Sequence, residues 1–246
     1  MLNLLKKYIF LNLLALIALI GIGFYFAQNS PGVQAADNNF TLTWSSDSYI
    51  PPGYAGLALP TQGSQIKVFV LPTKKLNFNP ERLTYRWLLD DEIMGWAGGQ
   101  GKSVFSFKAT KWPSDRHTVE SQVLDGESVI WRGFIEIKIS KTEAVLQLSN
   151  NDYAVSENLN AKTGQTLKIL ATPFFFNTPD INALNFQWEL DGQELANVDN
   201  KDFHIFSLNI PAGKLEKALI KNLNLLVTDK KNTDYQASSQ TTLRVQ

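Results

Sequence analysis

The chain has 246 residues, enough for two domains that each close a hydrophobic core of their own. Its 23 lysine and arginine residues balance 23 aspartate and glutamate residues, which argues against the basic surface of a nucleic-acid-binding protein. The chain contains no cysteine, so disulfide bonds, thiolate metal sites and a cysteine nucleophile are all excluded.

The first element in chain order is a hydrophobic leader. Residues 8–27 are apolar except for Asn12, and they follow a lysine pair at positions 6 and 7. A run of this length spans a bilayer as a helix, and the positive-inside rule places the lysines in the cytoplasm. We therefore expect everything after residue 27 to lie outside the cytoplasm.

The leader has two interpretations, which the sequence leaves open. A small-residue site precedes Ala36, so residues 1–36 are either a signal peptide cleaved near Ala35 or a single-pass membrane anchor with a polar tether. In the first case the mature protein is secreted or held at the cell surface. In the second case it stays anchored in the membrane by its N-terminal helix.

Short strands follow the leader. They are rich in β-branched and aromatic residues, most of them alternate apolar with polar positions, and turn residues separate them. The predicted strands of the first half are 40–44, 65–70, 83–89, 103–107, 118–124 and 134–139. Those of the second half are 145–148, 166–171, 184–190, 203–208, 223–228 and 241–245. One segment, 212–222, has helical spacing, but Pro211 and Gly213 leave room for at most one helical turn.

The two halves are copies of one unit. Positions 62–108 align with 163–209 at an offset of 101. The alignment contains more identical pairs than the roughly three expected by chance from ordinary composition. The identical pairs are Gly63/Gly164, Lys67/Lys168, Pro72/Pro173, Leu83/Leu184, Trp87/Trp188, Leu89/Leu190, Asp90/Asp191, Phe105/Phe206 and Ser106/Ser207. We predict an all-β protein with antiparallel immunoglobulin-like sandwiches at 37–140 and 141–246, joined end to end with restricted hinge freedom.

Two motifs carry a resemblance to a known family. Residues 85–91 (Tyr-Arg-Trp-Leu-Leu-Asp-Asp) and 186–192 (Phe-Gln-Trp-Glu-Leu-Asp-Gly) resemble the aromatic-x-Trp strand and turn of PKD-type and bacterial immunoglobulin-like domains. Residues 113–126 and 223–229 are similar to the closing strand of that family. His117 and Leu223 stand where the family has tyrosine, and Asp91 stands where it has glycine.

The resemblance implies a sandwich fold and says little about function, since such domains serve as spacers, adhesins, carbohydrate binders and receptor modules. The layout, a hydrophobic leader before Trp-strand sandwiches, resembles exported surface proteins of small-genome bacteria, some encoded near type IV pilus components. It implies a tandem of such domains in an exported cell-surface protein.

Five of the six tryptophans fall into two groups. Trp87 and Trp188 occupy matching positions of a central strand, so we expect both to be core residues. Trp96 and Trp112 match Asn197 and Ala212, so packing shared by the copies does not require them. Trp96 lies in a glycine-rich loop, where its ring either contacts a sugar or a partner or caps its own sandwich. Trp131, which matches Tyr235, belongs to this unmatched group.

A run of three phenylalanines offers a second candidate surface. Phe174, Phe175 and Phe176 lie between Pro173 and Pro179. They either pack on the domain junction or form an exposed apolar patch that marks an interface.

The polar residues show no catalytic or metal-binding pattern. The acids 90–92, Asp191, Asp199 and Asp202 lack the alternating spacing of a calcium loop, and turn-forming carboxylates are the favoured interpretation. His117 and His204 have no second histidine at ligand spacing. Residues 98–101 lack the lysine of a phosphate-binding loop, and no serine elbow occurs. We therefore predict no enzyme, no cofactor and no metal.

These observations favour a non-catalytic cell-surface structural or adhesion protein. Its expected partners are the membrane, through the leader, and a surface protein or polysaccharide, through Trp96, Trp112 and residues 174–176. A carbohydrate-binding module with Trp96 and Trp112 as a stacking platform is one alternative. An accessory component of a pilus or secretion apparatus, docked through an exposed phenylalanine patch, is the other.

Overall fold

The computed structural model describes residues 39–74, 79–149, 158–195 and 203–246. The predicted leader, its cleavage site and most of the tether lie outside this part of the chain. Within the described residues, no helix is both long and apolar enough to cross a membrane. Their regular structure is strand, apart from two short 3₁₀ turns at Pro80–Arg82 and Ile181–Ala183.

The first copy is a sandwich of two antiparallel sheets. One sheet has the order β1-β2-β6, and the other has the order β4-β3-β7-β8, with β5 also pairing with β3. Their bounds are β1 (Phe40–Ser46), β2 (Gln65–Pro72), β3 (Thr84–Leu89), β4 (Glu92–Ile93), β5 (Gly99–Gln100), β6 (Val104–Lys108), β7 (Arg116–Asp125) and β8 (Ser128–Lys138).

The second copy repeats this arrangement. Its sheets have the orders β14-β11-β9 and β10-β16-β15-β12-β13, and β10 is parallel to β16. The bounds are β9 (Glu143–Leu148), β10 (Asn158–Ala161), β11 (Thr166–Phe174), β12 (Leu184–Leu190), β13 (Gln193–Glu194), β14 (Ile205–Asn209), β15 (Leu219–Asp229) and β16 (Gln236–Val245). The chain is therefore a tandem of two immunoglobulin-like β-sandwiches, as predicted.

Each sandwich closes around one of the paired tryptophans. Trp87 and Trp188 are fully buried, and their indole N–H groups donate to the carbonyls of Lys102 (2.9 Å) and Phe203 (3.3 Å). Trp87 stacks on Phe105 at 5.6 Å, and the second copy repeats this pair. Their assignment to the core is confirmed. Burying such a ring with its N–H satisfied is the largest single packing contribution available to a small sandwich.

The long strands follow the predicted pattern, with differences at their ends. β8 begins at Ser128, six residues before the predicted start, because it forms a hairpin with β7 that closes at Asp125 and Ser128. The segment 212–222 contains no helical turn, and its last residues begin β15 at Leu219.

The copies differ most in the segment that precedes β2 in the first copy and its counterpart β11 in the second. In the second copy this segment contains β10, whereas the first copy has only an isolated parallel bridge between Thr61 and Ser140. Pro51 and Pro52 lie in the first copy's segment, and proline has no N–H to give to a sheet ladder. Residues 47–64 instead extend over the second copy, where Tyr49 packs against its core.

Candidate functional site

Trp96 is displayed at the tip of the loop between β4 and β5. Its side chain is 69% exposed. Its ring packs against that of Phe105, and the two ring centroids are 5.8 Å apart. The ammonium group of Lys102 donates to the carbonyl of Trp96 at 3.2 Å, which ties the loop to the start of β6. The loop is therefore anchored while most of the indole stays in solvent.

Trp112 is displayed in the turn between β6 and β7, also 69% exposed. Its carbonyl accepts from the N–H of Asp115 at 3.1 Å, which closes the turn. The neighbouring Lys111 is fixed by an ion pair of 2.7 Å with Asp90 and by a hydrogen bond to the carbonyl of Arg116. Trp112 thus projects from a turn that a salt bridge holds in place.

The two exposed rings belong to the first copy alone. Trp188, which is buried, is the one tryptophan in residues 141–246, and the sequence counterpart of Trp96, Asn197, lies outside the described residues. Trp131 behaves differently from both, since it is buried against Phe40 at a centroid distance of 5.7 Å. Among the described ring contacts, none joins Trp96 to Trp112, so they form two separate features.

The phenylalanine run is not an exposed patch. Phe175 and Phe176 are buried, and Phe174 is half-buried with its ring 5.3 Å from that of Tyr54. Residues 47–64 cover this run: the N–H of Phe175 donates to the carbonyl of Tyr49, and the N–H of Tyr49 donates to the carbonyl of Phe176. The expectation that Phe175 and Phe176 contact an external ligand or partner is corrected, because the first copy already occupies their surroundings.

A polar network at the junction completes this interface. The side-chain oxygen of Asn177 accepts from the hydroxyls of Thr61 (2.8 Å) and Ser64 (2.5 Å), and its amide nitrogen donates to the carbonyl of Gln62. Gly63, at φ +93°, lies under Tyr235, so that a Cβ there would come within 2.5 Å of the tyrosine hydroxyl. The two copies are therefore joined by matched hydrogen bonds and close packing.

A cleft of about 470 Å³ remains beside the junction. It lies between the proline loop of the first copy and the outer face of β11, and its walls include Tyr49, Tyr54, Phe174, Thr172 and His204. Burial, together with the negative charge of Asp180, raises the pKa of the Tyr49 phenol above its ordinary value. Nothing in the sequence pattern indicated this cleft, because its walls come from segments far apart in the chain.

A buried histidine with a carboxylate partner lies in the first copy. His117 Nδ1 is 2.7 Å from Asp90 Oδ2, and its Nε2 accepts from the N–H of Thr110 at 3.2 Å. With Nε2 accepting, the proton is assigned to Nδ1, which donates to the carboxylate. Both ring nitrogens are engaged and the side chain is fully enclosed, so His117 is placed to support the β3–β7 connection rather than to transfer a proton.

The acids at the β-turns have cationic partners. Burial opposes ionisation of Asp90, but hydrogen bonds from Lys111, the N–H of Thr118 and His117 outweigh it and lower its pKa below the ordinary value of 3.8. The second copy repeats the arrangement: Asp191 accepts from Lys221 (2.6 Å) and from the N–H of Asn222. Within the described ranges, no three metal-binding side chains cluster. Asp199 and Asp202 lie outside those ranges.

Comparisons with known proteins found only solved structures of low similarity to this chain. No protein-family model and no curated protein matches the chain. Three N-terminal domains of the Highly Immunogenic Outer Capsid protein (Hoc) of bacteriophage RB49 are 14% identical to it, with a TM-score of 0.40, over 84% of this chain and 59% of theirs. Fibronectin(III)-like modules of CbhA from Clostridium thermocellum are 11% identical, with a TM-score of 0.28, over 82% of this chain and 93% of theirs.

These likenesses concern the fold alone. Tandem Ig repeats of Dlar show the same level of similarity, with 8% identity and a TM-score of 0.26 over 84% of this chain and 97% of theirs. By their names, the CbhA and Dlar neighbours are fibronectin(III)-like modules and tandem Ig repeats. The PKD type of the sandwiches stays a prediction.

Proposed function

We propose that this protein is an exported, non-catalytic surface module whose first sandwich presents Trp96 and Trp112 to a surface protein or polysaccharide. The observation that carries the proposal is the exposure of these two rings, 69% each, in a chain whose Trp87, Trp131 and Trp188 are buried. Burying a large apolar side chain stabilises by about 1.5–3 kcal/mol. The indoles of Trp96 and Trp112 are in water in the free protein, so burying them against a partner would supply this stabilisation to the complex.

The candidate acid and base groups of the described residues have structural hydrogen-bond partners, which favours a non-catalytic protein. His117 has both ring nitrogens bonded, and the acids Asp90 and Asp191 accept from lysines and backbone N–H groups. A general acid or base needs access to a substrate in addition to a suitable pKa. These groups have structural partners instead.

The rigid junction supports the same proposal. A spacer or adhesin holds its recognition surface at a fixed distance from its anchor, which requires that its domains do not fold back on a hinge. Asn177 and the run of residues 174–176 link the copies here, so the loops of the first copy keep a constant orientation relative to the second. The alternative of a pilus or secretion component has less support, because the phenylalanine run on which it depended is largely covered.

Export through the leader is part of the proposal. The lysine pair at positions 6 and 7 precedes an apolar run that no cationic cluster follows closely. A reporter enzyme fused after Gln246 is expected to be active only outside the cytoplasm. Activity inside the cell would refute the orientation.

Alanine substitution of the two tryptophans tests recognition. We expect Trp96→Ala and Trp112→Ala to weaken attachment of the full chain to cells or isolated surface polymers by about tenfold or more each, because exposed aromatic anchors dominate interface energies. The melting temperature should change little, since both rings are mainly in solvent.

Phe134→Ala is the matched control, because Phe134 is an exposed aromatic in strand β8 and belongs to neither loop. It should leave attachment unchanged. Equal loss for all three variants, or attachment that survives both tryptophan changes, would refute the assignment of the loops.

A further inference from the structure

The outer face of one sheet of the second copy has an unusual composition. Side chains of β12, β15 and β16 that point away from the core are carboxamides at six positions: Asn185, Gln187, Asn222, Asn224, Gln236 and Gln240. Hydroxyls at Thr228, Ser238 and Thr242 lie between them. Glu189 is the one carboxylate on this side of the three strands, and Leu226 is apolar. The exposed pair Ile220 and Arg244 lies one row beyond Asn222 and Thr242, at the start of β15 and the end of β16. We call the set without this pair the amide face.

Strand register places these groups in rows. Glu189, Asn224 and Gln240 are direct partners across the three strands, and the next row joins Gln187, Leu226 and Ser238. Neighbours in a row are about 4.8 Å apart and successive rows about 6.6–7 Å apart. The face is thus a regular array of donors and acceptors.

The first copy shows that the fold does not require this composition. Arg86, Glu120 and Arg132 occupy the positions of Gln187, Asn224 and Ser238. Glu120 accepts two bonds of 2.7 Å from the guanidinium of Arg132, which also lower the pKa of Glu120 despite its partial burial. The outer face of this sheet can therefore be charged, as it is in the first copy. The second copy has amides and a hydroxyl at the positions where the first copy has these charged residues.

The amide face is also concave. A shallow cavity of about 540 Å³ lies over it, lined by Gln187, Glu189, Asn224, Leu226, Ser238 and Gln240. This volume is in the range of small-molecule and sugar sites, and residues of all three strands contribute to it.

We propose that the amide face binds a neutral polysaccharide. A carboxamide offers an acceptor oxygen and two donor hydrogens, so it pairs with a sugar hydroxyl whichever way that hydroxyl is turned. No lysine or arginine lines the cavity, so the cavity has no counter-charge for a phosphate or sulfate polymer, and a carboxylate polymer would be repelled by Glu189. Neutral, hydroxyl-rich chains are the polymers whose charge and hydrogen-bonding pattern match it.

The face lacks an aromatic ring, which predicts the length of the ligand. Without stacking, each sugar contributes only hydrogen bonds that replace bonds to water, and each such bond yields little net free energy. A single sugar should therefore bind weakly, whereas a chain that spans several rows adds the contributions of its successive units. This surface is distinct from the tryptophan loops of the proposed function.

Native affinity electrophoresis of the full chain in mild detergent tests the proposal. The gels contain laminarin, dextran, galactomannan or xylan as neutral probes, and alginate or chondroitin sulfate as charged ones. We expect retardation by at least one neutral polysaccharide, and at least a tenfold weaker effect of its disaccharide as a competitor. Neither charged polymer should retard the chain.

Two variants locate the site. The double change Asn224→Glu with Ser238→Arg installs the residues that the first copy has at these positions, and Asn224→Ala with Gln240→Ala removes the amides. Both should lose retardation tenfold or more and keep the wild-type melting temperature. The control pair, Arg86→Gln with Glu120→Asn in the first copy, should retain it.

Each other outcome decides against the proposal. Retardation only by alginate or chondroitin sulfate, no retardation by any neutral polysaccharide, or equal retardation of wild type and face variants would overturn it. Concentration-dependent dimerisation lost in the face variants, without polysaccharide binding, would assign the face to self-association. Trp96→Ala should keep full retardation, so failure of the loop assignment and failure of this one are separable.

Discussion

Asp90 is the residue on which the turn after β3 depends. Its two oxygens accept from Lys111, the N–H of Thr118 and His117, all at 2.7–3.0 Å. Although burial opposes its ionisation, these bonds hold its pKa below 3.8. A carboxyl whose pKa is lower in the folded state stabilises the fold above its unfolded pKa and loses that contribution as the pH falls through the folded value.

We therefore expect Asp90→Asn to lower the melting temperature clearly at pH 7, and progressively less as the pH falls from about 4, where the carboxyl of the unfolded chain becomes protonated, through the lower pKa of the folded state. Thermal unfolding followed by circular dichroism between pH 2 and pH 8 measures the difference. Asp234→Asn, an exposed change in the second copy, is the control and should cost little at any pH. A constant difference across the range would show that shape, not charge, matters at this position.

Individual residues were predictable where both copies repeat them. Trp87, Trp188 and the Asp90/Asp191 pair stood out because a buried ring or a turn carboxylate serves the same purpose in each sandwich. The environment of His117 was not predictable, since its partner, Asp90, is 27 positions away in the turn after β3. The burial of Phe176 was not predictable for a related reason. Whether an apolar run is buried or exposed depends on whether a distant segment, here residues 47–64, packs over it.

At the scale of elements, the two-residue turns of the β3–β4 and β12–β13 hairpins differ by one residue. Their turns hold Asp90 and Asp91 at φ +50° and +70°, and Asp191 and Gly192 at +52° and +77°. Aspartate tolerates the left-handed region, but glycine enters it without a Cβ clash. The first copy therefore carries strain at Asp91 that the second copy avoids.

Exchange of the two residues measures that strain. We expect Asp91→Gly to stabilise the chain by about 0.5–1 kcal/mol, and Gly192→Asp to destabilise it by a similar amount. A Cβ at Gly192 would contact nothing within 4 Å, so only backbone conformation changes there. Urea unfolding gives both values. Effects of the same sign in the two copies would contradict this account of the turn.

Long strands were predictable from alternation, whereas short ones were not. The two-residue strands β4, β5 and β13 carry no detectable period, and β10 (Asn-Leu-Asn-Ala) is polar at every second position with too few residues to decide. The phenylalanine run lies partly in β11, which continues to Phe174. Which surface it meets depends on residues 47–64, and local pattern does not encode that contact.

At the scale of the whole molecule, the two sandwiches share an interface that makes them one mechanical unit. Tyr49 of the first copy packs on the second core, and the backbone of residues 49, 175 and 176 forms reciprocal hydrogen bonds. Phe175 adopts φ +62°, a costly conformation for an aromatic residue, and the surrounding bonds hold it there. Separate expression of the two copies would leave these groups without partners.

Asn177 is the residue whose loss should uncouple the copies. Asn177→Ala removes the acceptor of Thr61 and Ser64 and the donor to the Gln62 carbonyl, so three hydrogen bonds across the junction are lost, at about 0.5–1.5 kcal/mol each. We expect wild type to unfold in one calorimetric transition and Asn177→Ala in two, because each sandwich keeps its own core while their coupling weakens. Asn209→Ala, which removes an exposed hydrogen bond to Thr166, is the control and should keep a single transition. If Asn177→Ala also unfolds in one transition at an unchanged temperature, the junction does not couple the domains, and the fixed presentation of the tryptophan loops would need another cause.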